Sequence, residues 1–207
     1  MSLNTYSDLK SSIASWLNRA DLAAQIPDFI TMAEARFNRE LRVNAMLQRD
    51  YTVATTAYVK LPSDWLQHSS IVVLSPNDRR YALDYITPEE FNDRRKRVQP
   101  GTATSYTIIS DNIALLPEPS SNTTLELTYY EKIPALSDVK PTNWLLTRSP
   151  DLYIFGSLLM AEPFLMNDER VPLWANAVAQ ALEAMRMESE KAMRPSGSLA
   201  ARAKTFG

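Results

Sequence analysis

The spacing of apolar residues divides the chain into helical ends and a β-rich middle. Near the amino end, two stripes with a period of 3.6 residues predict amphipathic helices over residues 5–18 and 26–45. Near the carboxyl end, the same period predicts helices over residues 149–166 and 168–193. Because each helix has an apolar face to bury, we expect the four to pack together although the middle of the chain separates them.

The segment from Ser149 to Met166 is predicted to be the central helix. Residues 152–161 contain no charged side chain, so a helix formed by them is apolar all round and has to be surrounded by other elements. A membrane span needs about 20 such residues, and this run is too short for one. We therefore expect Ser149 to cap the helix and Phe155 to belong to the core.

Short β-favouring runs follow one another from Gln48 onward. The runs 51–53 and 58–61 are predicted to form a hairpin, and 71–74 and 81–85 are predicted to be two strands around a turn. Three further strands are predicted at 106–109, 113–116 and 125–129, with left-handed turn geometry at 110–112. The middle of the chain therefore reads as a small, mostly antiparallel sheet.

Capping signals mark two helix starts in the chain. Thr5 stands three residues before Asp8, at the start of the first predicted helix. Thr87 is followed by Pro88 and Glu90, which predicts a short helix that ends near Arg97. Each threonine is expected to accept a hydrogen bond from the first turn of its helix.

These elements predict an α+β fold in four parts. Residues 1–47 and 141–194 are expected to form a bundle of about four helices, and residues 48–140 an inserted, mostly antiparallel β-rich module. Residues 195–207 have low hydrophobicity and small side chains, so we expect an extended carboxyl-terminal arm that becomes ordered only on a partner.

Composition and charge narrow the possible functions. The chain has 207 residues, a formal net charge of −2 and no cysteine. The charge gives no overall attraction to nucleic acid or to an anionic membrane, and the lack of cysteine excludes disulfides and thiolate nucleophiles. The amino terminus lacks a secretory signal, so we expect synthesis in the cytoplasm.

The residue pattern predicts no catalytic, cofactor-binding or metal site. His68 is the only histidine, and it has no cysteine with which to form a nucleophile and base pair. The glycines do not fit a phosphate-binding loop, and the carboxylate pairs Glu89-Glu90 and Asp168-Glu169 stand at predicted helix starts, where the helix dipole accounts for them. We therefore expect a protein that is not an enzyme.

Two further sets of residues leave an alternative open. The run from Arg94 to Arg97 contains four cations that could contact phosphate, although cations at a helix carboxyl end also suit the helix dipole. Five aromatic residues recur at helical spacing, which favours a core over a ligand pocket. They are Trp144, Tyr153, Phe155, Phe164 and Trp174.

Several short sequence motifs follow one another along the chain. In the first half they are DFI at 28–30, AEARFNRELR at 33–42 and YVKLPSDWL at 58–66. In the second half they are YYEKIPALS at 129–137, SPDLY at 149–153 with Gly156 and Leu158, AEPFL at 161–165, and NDER at 167–170 with Trp174. Together they resemble the signatures of tailed-phage head-to-tail adaptor proteins, including the tail tubular protein A type. The resemblance extends from about Tyr6 to Met193.

This resemblance implies a structural virion protein without catalytic residues. It implies a ring, of twelve subunits, that binds beneath the portal, with the β-rich module facing the tail and the carboxyl-terminal arm reaching the portal. In the arm, Leu199 and Phe206 are expected to be apolar anchors, and Arg202 and Lys204 to meet acidic or carbonyl groups of the portal. No cofactor is implied.

The resemblance implies partners that belong to the virion, namely other virion proteins and the genomic DNA. They are the portal protein, further copies of the chain, a downstream tail or nozzle protein, and genomic DNA that passes through the lumen without specific binding. No membrane contact is expected. A nucleic-acid-binding protein that uses Arg94 to Arg97 is the competing interpretation, and an enzyme with a site hidden from sequence reasoning is a third.

Overall fold

The structure is a computed structural model of the whole chain, and it describes residues 3–74, 80–165 and 169–194. The fold is α+β, as the sequence predicts, and it divides into two compact units. We call the described residues up to Ala45 and from Ile133 onward the helical unit. Met46–Lys132 form the sheet unit.

The described residues form six α-helices and eight strands. The helices are α1 (Tyr6–Leu17), α2 (Ile26–Glu40), α3 (Pro88–Arg95), α4 (Trp144–Arg148), α5 (Pro150–Met160) and α6 (Val171–Met193). The strands are β1 (Leu47–Ala54), β2 (Tyr58–Lys60), β3 (Trp65–Leu74), β4 (Arg80–Ala82), β5 (Asp84–Tyr85), β6 (Ser105–Ile109), β7 (Asn112–Leu116) and β8 (Thr123–Glu131). Short 3₁₀ turns cover Ala20–Leu22, Asn44–Met46 and Glu162–Phe164.

The second boundary between the units lies earlier than the expected residue 140. Ile133 donates its backbone N–H to Asn38 Oδ1 at 2.8 Å, and Leu136 donates its own to Glu34 Oε1 at 2.9 Å. Both acceptors are on α2. These bonds attach the residues after Lys132 to the helical unit, so the sheet unit ends at Lys132.

In the helical unit, α5 lies against α1, α2 and α6, as expected of a central helix. Its buried residues are Leu152, Tyr153, Ile154, Gly156, Ser157 and Leu158. An added Cβ at Gly156 would stand 2.5 Å from Cζ of Phe37, so the glycine permits the close approach of α2.

Three details of the predicted central helix are wrong. The helix ends at Met160 instead of Met166, because Pro163 lacks the N–H that the next helical turn needs. Met166 itself lies outside the described residues. Ser149 makes no side-chain cap bond; its backbone N–H donates to Leu145 O at 2.8 Å, which closes α4. Phe155 is half-buried, with its ring edge-on to Trp16 at 5.8 Å.

The amino-terminal helices differ from the prediction mainly in their ends. The capping box of α1 is present, because Asp8 N donates to Thr5 Oγ1 and Thr5 N donates to Asp8 Oδ2, each at 3.2 Å. The second helix ends at Glu40, well before residue 45. After it the chain becomes extended, and this spacing buries both Leu41 and Val43.

The middle of the chain forms two four-stranded sheets, where the sequence predicts one. The first sheet has the strand order β1-β8-β3-β4, and the second has the order β2-β7-β6-β5. All pairs are antiparallel except β5 with β6. Side chains from both sheets share one core, which includes Ala54, Ile71 and Leu125 from the first and Val59 and Ile113 from the second.

The predicted hairpin of residues 51–53 and 58–61 is wrong. Strand β1 pairs with β8 over eight residues, from Leu47↔Tyr130 to Ala54↔Thr123, whereas β2 pairs with β7 in the other sheet. Strand β1 thus pairs with the long strand β8, which has an apolar face, and not with β2, which is nearer in the sequence.

Other local predictions for the sheet unit hold in part. The predicted strand 81–85 is divided into β4 and β5, which belong to different sheets. The turn between β6 and β7 has left-handed geometry at Ser110, with φ of 55°, as expected. Helix α3 begins after Thr87, whose Oγ1 accepts from Glu90 N at 3.3 Å, and ends at Arg95.

Candidate functional site

The basic run Arg94 to Arg97 begins in the last turn of α3, and most of its side chains have partners in the sheet unit. Arg94 pairs with Glu90 at 2.5 Å and Lys96 with Asp93 at 3.6 Å. Arg95 donates to Tyr58 Oη at 2.8 Å, and its guanidinium lies over the tyrosine ring. Two of the four cations thus pair with carboxylates and a third contacts a neutral phenol, so the positive charge of the run is offset in part within the sheet unit.

His68 lies among aromatic rings. Its ring stacks on Tyr85 at 5.4 Å and on Trp65 at 6.4 Å, with Tyr106 edge-on at 6.0 Å. Trp65 in turn stacks on Tyr129 at 5.2 Å. These contacts give the histidine a packing role in the sheet unit, with no nucleophile among the ring contacts.

The carboxylates singled out in the sequence do not converge on a metal site. Glu89 and Glu90 are exposed in the first turn of α3, and Glu169 is exposed before α6. Asp168 lies outside the described residues. Within residues 3–74, 80–165 and 169–194, no three histidine, aspartate or glutamate side chains are grouped to hold a metal ion.

The five aromatic residues of the helical unit do not line a common pocket. Tyr153 and Trp174 are buried in the core, and Trp144 is half-buried. Phe155 contacts Trp16, while Phe164 contacts Phe29 at 5.3 Å between ring centres. The structure therefore confirms the core interpretation for Tyr153 and Trp174, whereas Phe164 is 44% exposed.

The sheet unit contains a cleft of about 330 Å³. It is lined by hydroxyl, amide and apolar groups, including Tyr81, Thr102, Ser120 and Asn122. Among the described residues that line it there is neither a carboxylate nor a histidine.

A buried polar network in the helical unit was not anticipated from the sequence. Glu34 accepts from Leu136 N and from Tyr153 Oη, both at 2.9 Å. Asn143 Nδ2 donates to Tyr153 Oη at 2.6 Å and to Pro134 O at 2.7 Å. The network therefore links α2 and α5 with the chain that precedes α4.

Burial sets the protonation of this network. Desolvation raises the pKa of Glu34, and the hydrogen bonds from Leu136 and Tyr153 oppose that shift. The pKa of Tyr153 is raised by burial first and by the Glu34 carboxylate second. Tyr153 therefore remains a neutral hydrogen-bond donor.

The position of Glu34 relative to the apolar residues of α2 indicates that its side chain is buried. Glu34 stands four residues after Ile30 and three before Phe37, both of which are buried. Positions at this spacing share one helix face, so the buried stripe of α2 contains a carboxylate.

The sequence model of the SU10 adaptor protein family matches residues 4–202, which include parts of both units. The chain belongs to the SU10 adaptor protein family. It is thus a phage adaptor, a structural component of the virion, and the family implies contacts with portal and tail proteins in general. No curated protein matches the chain.

Membership of the adaptor family implies a structural role instead of an enzymatic one. None of the described helices has the length and apolar character needed to cross a membrane. The predicted portal contacts of the adaptor, Leu199, Arg202, Lys204 and Phe206, lie outside the described residues.

Proposed function

We propose that this adaptor joins the phage head to the tail as a ring of twelve subunits beneath the portal. The observation that carries the proposal is the family match over residues 4–202, which spans nearly the whole chain. The short sequence motifs resemble those of head-to-tail adaptors, including the tail tubular protein A type, which supports the proposed position beneath the portal. Synthesis in the host cytoplasm precedes assembly into the virion.

In this proposal the two units have different tasks. The helical unit, as a bundle of about four helices, stands toward the portal, and the sheet unit stands toward a downstream tail or nozzle protein. Residues 195–207 form an arm that contacts the portal through Leu199, Arg202, Lys204 and Phe206. Genomic DNA passes through the lumen without specific binding, which suits a chain with a net charge of −2.

Imaging of the purified adaptor with and without its portal tests the proposal. With the portal, we expect rings of twelve subunits. Without the portal, we expect no rings or a much lower yield of rings. Rings of another number would correct the stoichiometry only. A chain that never attaches to portals would refute the proposed position.

Deletion of residues 195–207 tests the arm. The polar arm lacks the apolar surface to stabilise the subunit, so thermal unfolding of the truncated adaptor should be nearly unchanged. Portal attachment should be lost or sharply weakened. The matched control keeps the length of the arm and replaces only Leu199 and Phe206 by serine. Wild-type occupancy of the truncated chain would assign docking to another surface.

The competing nucleic-acid function makes an opposite prediction. If the run from Arg94 to Arg97 binds phosphate, the isolated subunit should bind duplex DNA with a steep salt dependence. Neutralising the four residues to glutamine should then abolish that binding. Because the carboxylates of Glu90 and Asp93 offset part of the charge of the run and the whole chain has a net charge of −2, we expect weak binding and little change.

A further inference from the structure

The first sheet ends on one side at β1, which has a free outer edge. Strand β1 pairs with β8 over eight consecutive residues, from Leu47↔Tyr130 to Ala54↔Thr123, without a register shift. No other strand of the described residues lies beside it in the sheet. Within the part of the chain that the structure describes, no backbone group outside the β1–β8 ladder bonds to residues 48–53. The edge therefore presents an unpaired row of N–H and C=O groups.

Alternate residues of β1 direct their backbone groups away from β8. Lys132, directly after β8, donates its N–H to Asp64 O at 2.7 Å, so the even-numbered residues of β8 face β3. The odd-numbered residues of β8 therefore face β1, and the register pairs them with even-numbered residues of β1. The backbone groups of Arg49, Tyr51 and Val53 consequently point outward.

A hydrogen bond at the middle of the edge agrees with this assignment. The backbone N–H of Tyr51 donates to Oδ1 of the adjacent Asp50 at 2.8 Å, and both residues are exposed. The carboxylate thus accepts from a donor that β8 does not reach. In a larger sheet, the carbonyl of a further strand would accept from that donor.

The other strand edges that the described residues form are shorter or irregular. Strands β2 and β4 have three residues each, and β5 has two. The part of β3 that extends beyond β4 has register shifts between Trp65 and Gln67 and between His68 and Ser70. Short edge strands and bulges protect a sheet from further pairing. Strand β1 is long and regular, so its edge is the one suited to accept a strand.

A neighbouring copy of the chain offers no matching strand within a ring. Pairing of β1 with β1 of a second copy is a two-fold contact, which closes a pair instead of a ring. Pairing with a different edge of the neighbour would use one of the short or irregular edges. In the proposed function the carboxyl-terminal arm contacts the portal, and the sheet unit stands toward the tail. The downstream tail protein therefore remains as the source of a strand.

We propose that an extended segment of the downstream tail or nozzle protein joins the first sheet as a fifth strand, antiparallel to β1. The orientation follows the rest of this sheet, whose pairs are all antiparallel. Arg49, Tyr51 and Val53 each exchange backbone hydrogen bonds with the residue opposite. The inference rests on the proposed function, since it names the contact that attaches the sheet unit to the tail.

The side chains of β1 define which segment fits. Tyr51 and Val53 are each 53% exposed, so the residues opposite them should be apolar or β-branched. The residue opposite Thr52 should be polar, the one opposite Asp50 basic, and the one opposite Arg49 acidic. From its amino end, the segment is therefore apolar, polar, apolar, basic and acidic.

Val53→Pro tests the edge. Proline removes the outward N–H but no bond of the β1–β8 ladder, and edge strands accept proline at such positions. The variant should fold and form rings on portals, whereas attachment of the phage's tail proteins to these rings should fall about tenfold or more. The matched control is Val53→Thr, which keeps the N–H and the β-branched shape and should attach tail proteins normally.

Hydrogen exchange of the wild type tests the same edge without a substitution. In portal-bound rings that lack tails, the outward amides of Arg49 and Val53 should exchange rapidly. In tailed particles, the same amides should be protected about a hundredfold or more. The amide of Thr52 faces β8 and serves as the internal control, since it should be protected in both.

The outcomes separate the edge from the proposed function. Wild-type tail attachment by Val53→Pro, or the absence of new protection in tailed particles, overturns the proposal. Protection that is already present in rings without tails also overturns it, and assigns the edge to a neighbouring copy or to the portal. A wild-type adaptor that never attaches to portals refutes the proposed position of the ring. Direct binding of tail proteins to that adaptor, lost in Val53→Pro and kept in Val53→Thr, would still support the edge.

Discussion

Glu34 of the helical unit and Glu126 of the sheet unit are almost equally buried, with 5% and 6% of their surface exposed, but their partners differ. Glu34 receives hydrogen bonds from a backbone amide and a tyrosine hydroxyl, inside a closed core. Glu126 is covered by Arg49 and Arg80 on the outer face of the first sheet, since its neighbours Leu125 and Leu127 belong to the core. The first carboxylate therefore holds distant chain segments together, whereas the second pairs with arginines that are largely exposed to water.

The largest expected effect is the loss of the Glu34 network. Glu34→Ala leaves Leu136 N and Tyr153 Oη without their acceptor in the core, so the free energy of unfolding should fall by about 2–4 kcal/mol. The matched variant is Glu126→Ala, which leaves two arginines that water can solvate and should change stability by about 1 kcal/mol or less. Denaturant unfolding of the isolated subunits measures both.

Equal losses from the two variants would break this comparison. A loss at Glu126 as large as at Glu34 would mean that the arginine pairs stabilise the sheet unit itself.

Local signals predicted the parts of the fold that depend on neighbouring residues. The capping box at Thr5, the cap at Thr87 and the turn at Ser110 each involve residues within one helical turn or one hairpin loop. Each of these features depends only on residues that are close together in the sequence. The structure has each of them at the residues for which it was predicted.

The pairing of strands that are far apart in the sequence could not be predicted from local residue patterns. Strand β8 is about 70 residues from β1, and its choice of partner depends on which faces are buried together. Likewise, the half-buried position of Phe155 follows from how α1 lies against α5. The burial of Glu34 required a partner supplied by residues 133–153, which no local pattern specifies.

Two glycines extend the comparison to packing density. Gly156→Ala in α5 pushes a Cβ against the buried ring of Phe37, so we expect destabilisation of about 1–3 kcal/mol from overpacking. Gly101→Ala in the sheet unit meets only Gln99 O, at 3.9 Å, and should stay within about 0.5 kcal/mol. Thermal unfolding of the two variants, side by side, provides the measurement. A tolerated alanine at 156 would show that α2 and α5 can separate slightly.

The pH dependence of stability should carry the signature of Glu34. Burial raises its pKa in the folded state, so the fold binds this proton more tightly than the unfolded chain does. The stabilising contribution is fully present below the ordinary glutamate value of 4.5 and is lost as pH rises through the raised value.

Glu34→Gln isolates this contribution, because the glutamine Oε1 can still accept both hydrogen bonds. The stability of the wild type relative to Glu34→Gln should increase as pH falls from about 7 to about 4. Chemical denaturation at a series of pH values gives the difference. A difference independent of pH would mean that the carboxyl does not change its charge in that range.

The smallest effects are expected at the two arginines that pair with Glu126. Arg49 and Arg80 each pair with Glu126 from largely exposed positions, so Arg49→Gln or Arg80→Gln alone should lower the free energy of unfolding by less than about 0.5 kcal/mol. The double variant leaves Glu126 with no cation above it, and its loss should exceed the sum of the two single losses. A double-mutant cycle on isolated subunits measures the excess. Strict additivity would mean that water, and not the arginines, solvates Glu126, and the contrast with Glu34 would then be between a carboxylate solvated by water and one that is bonded only within the core.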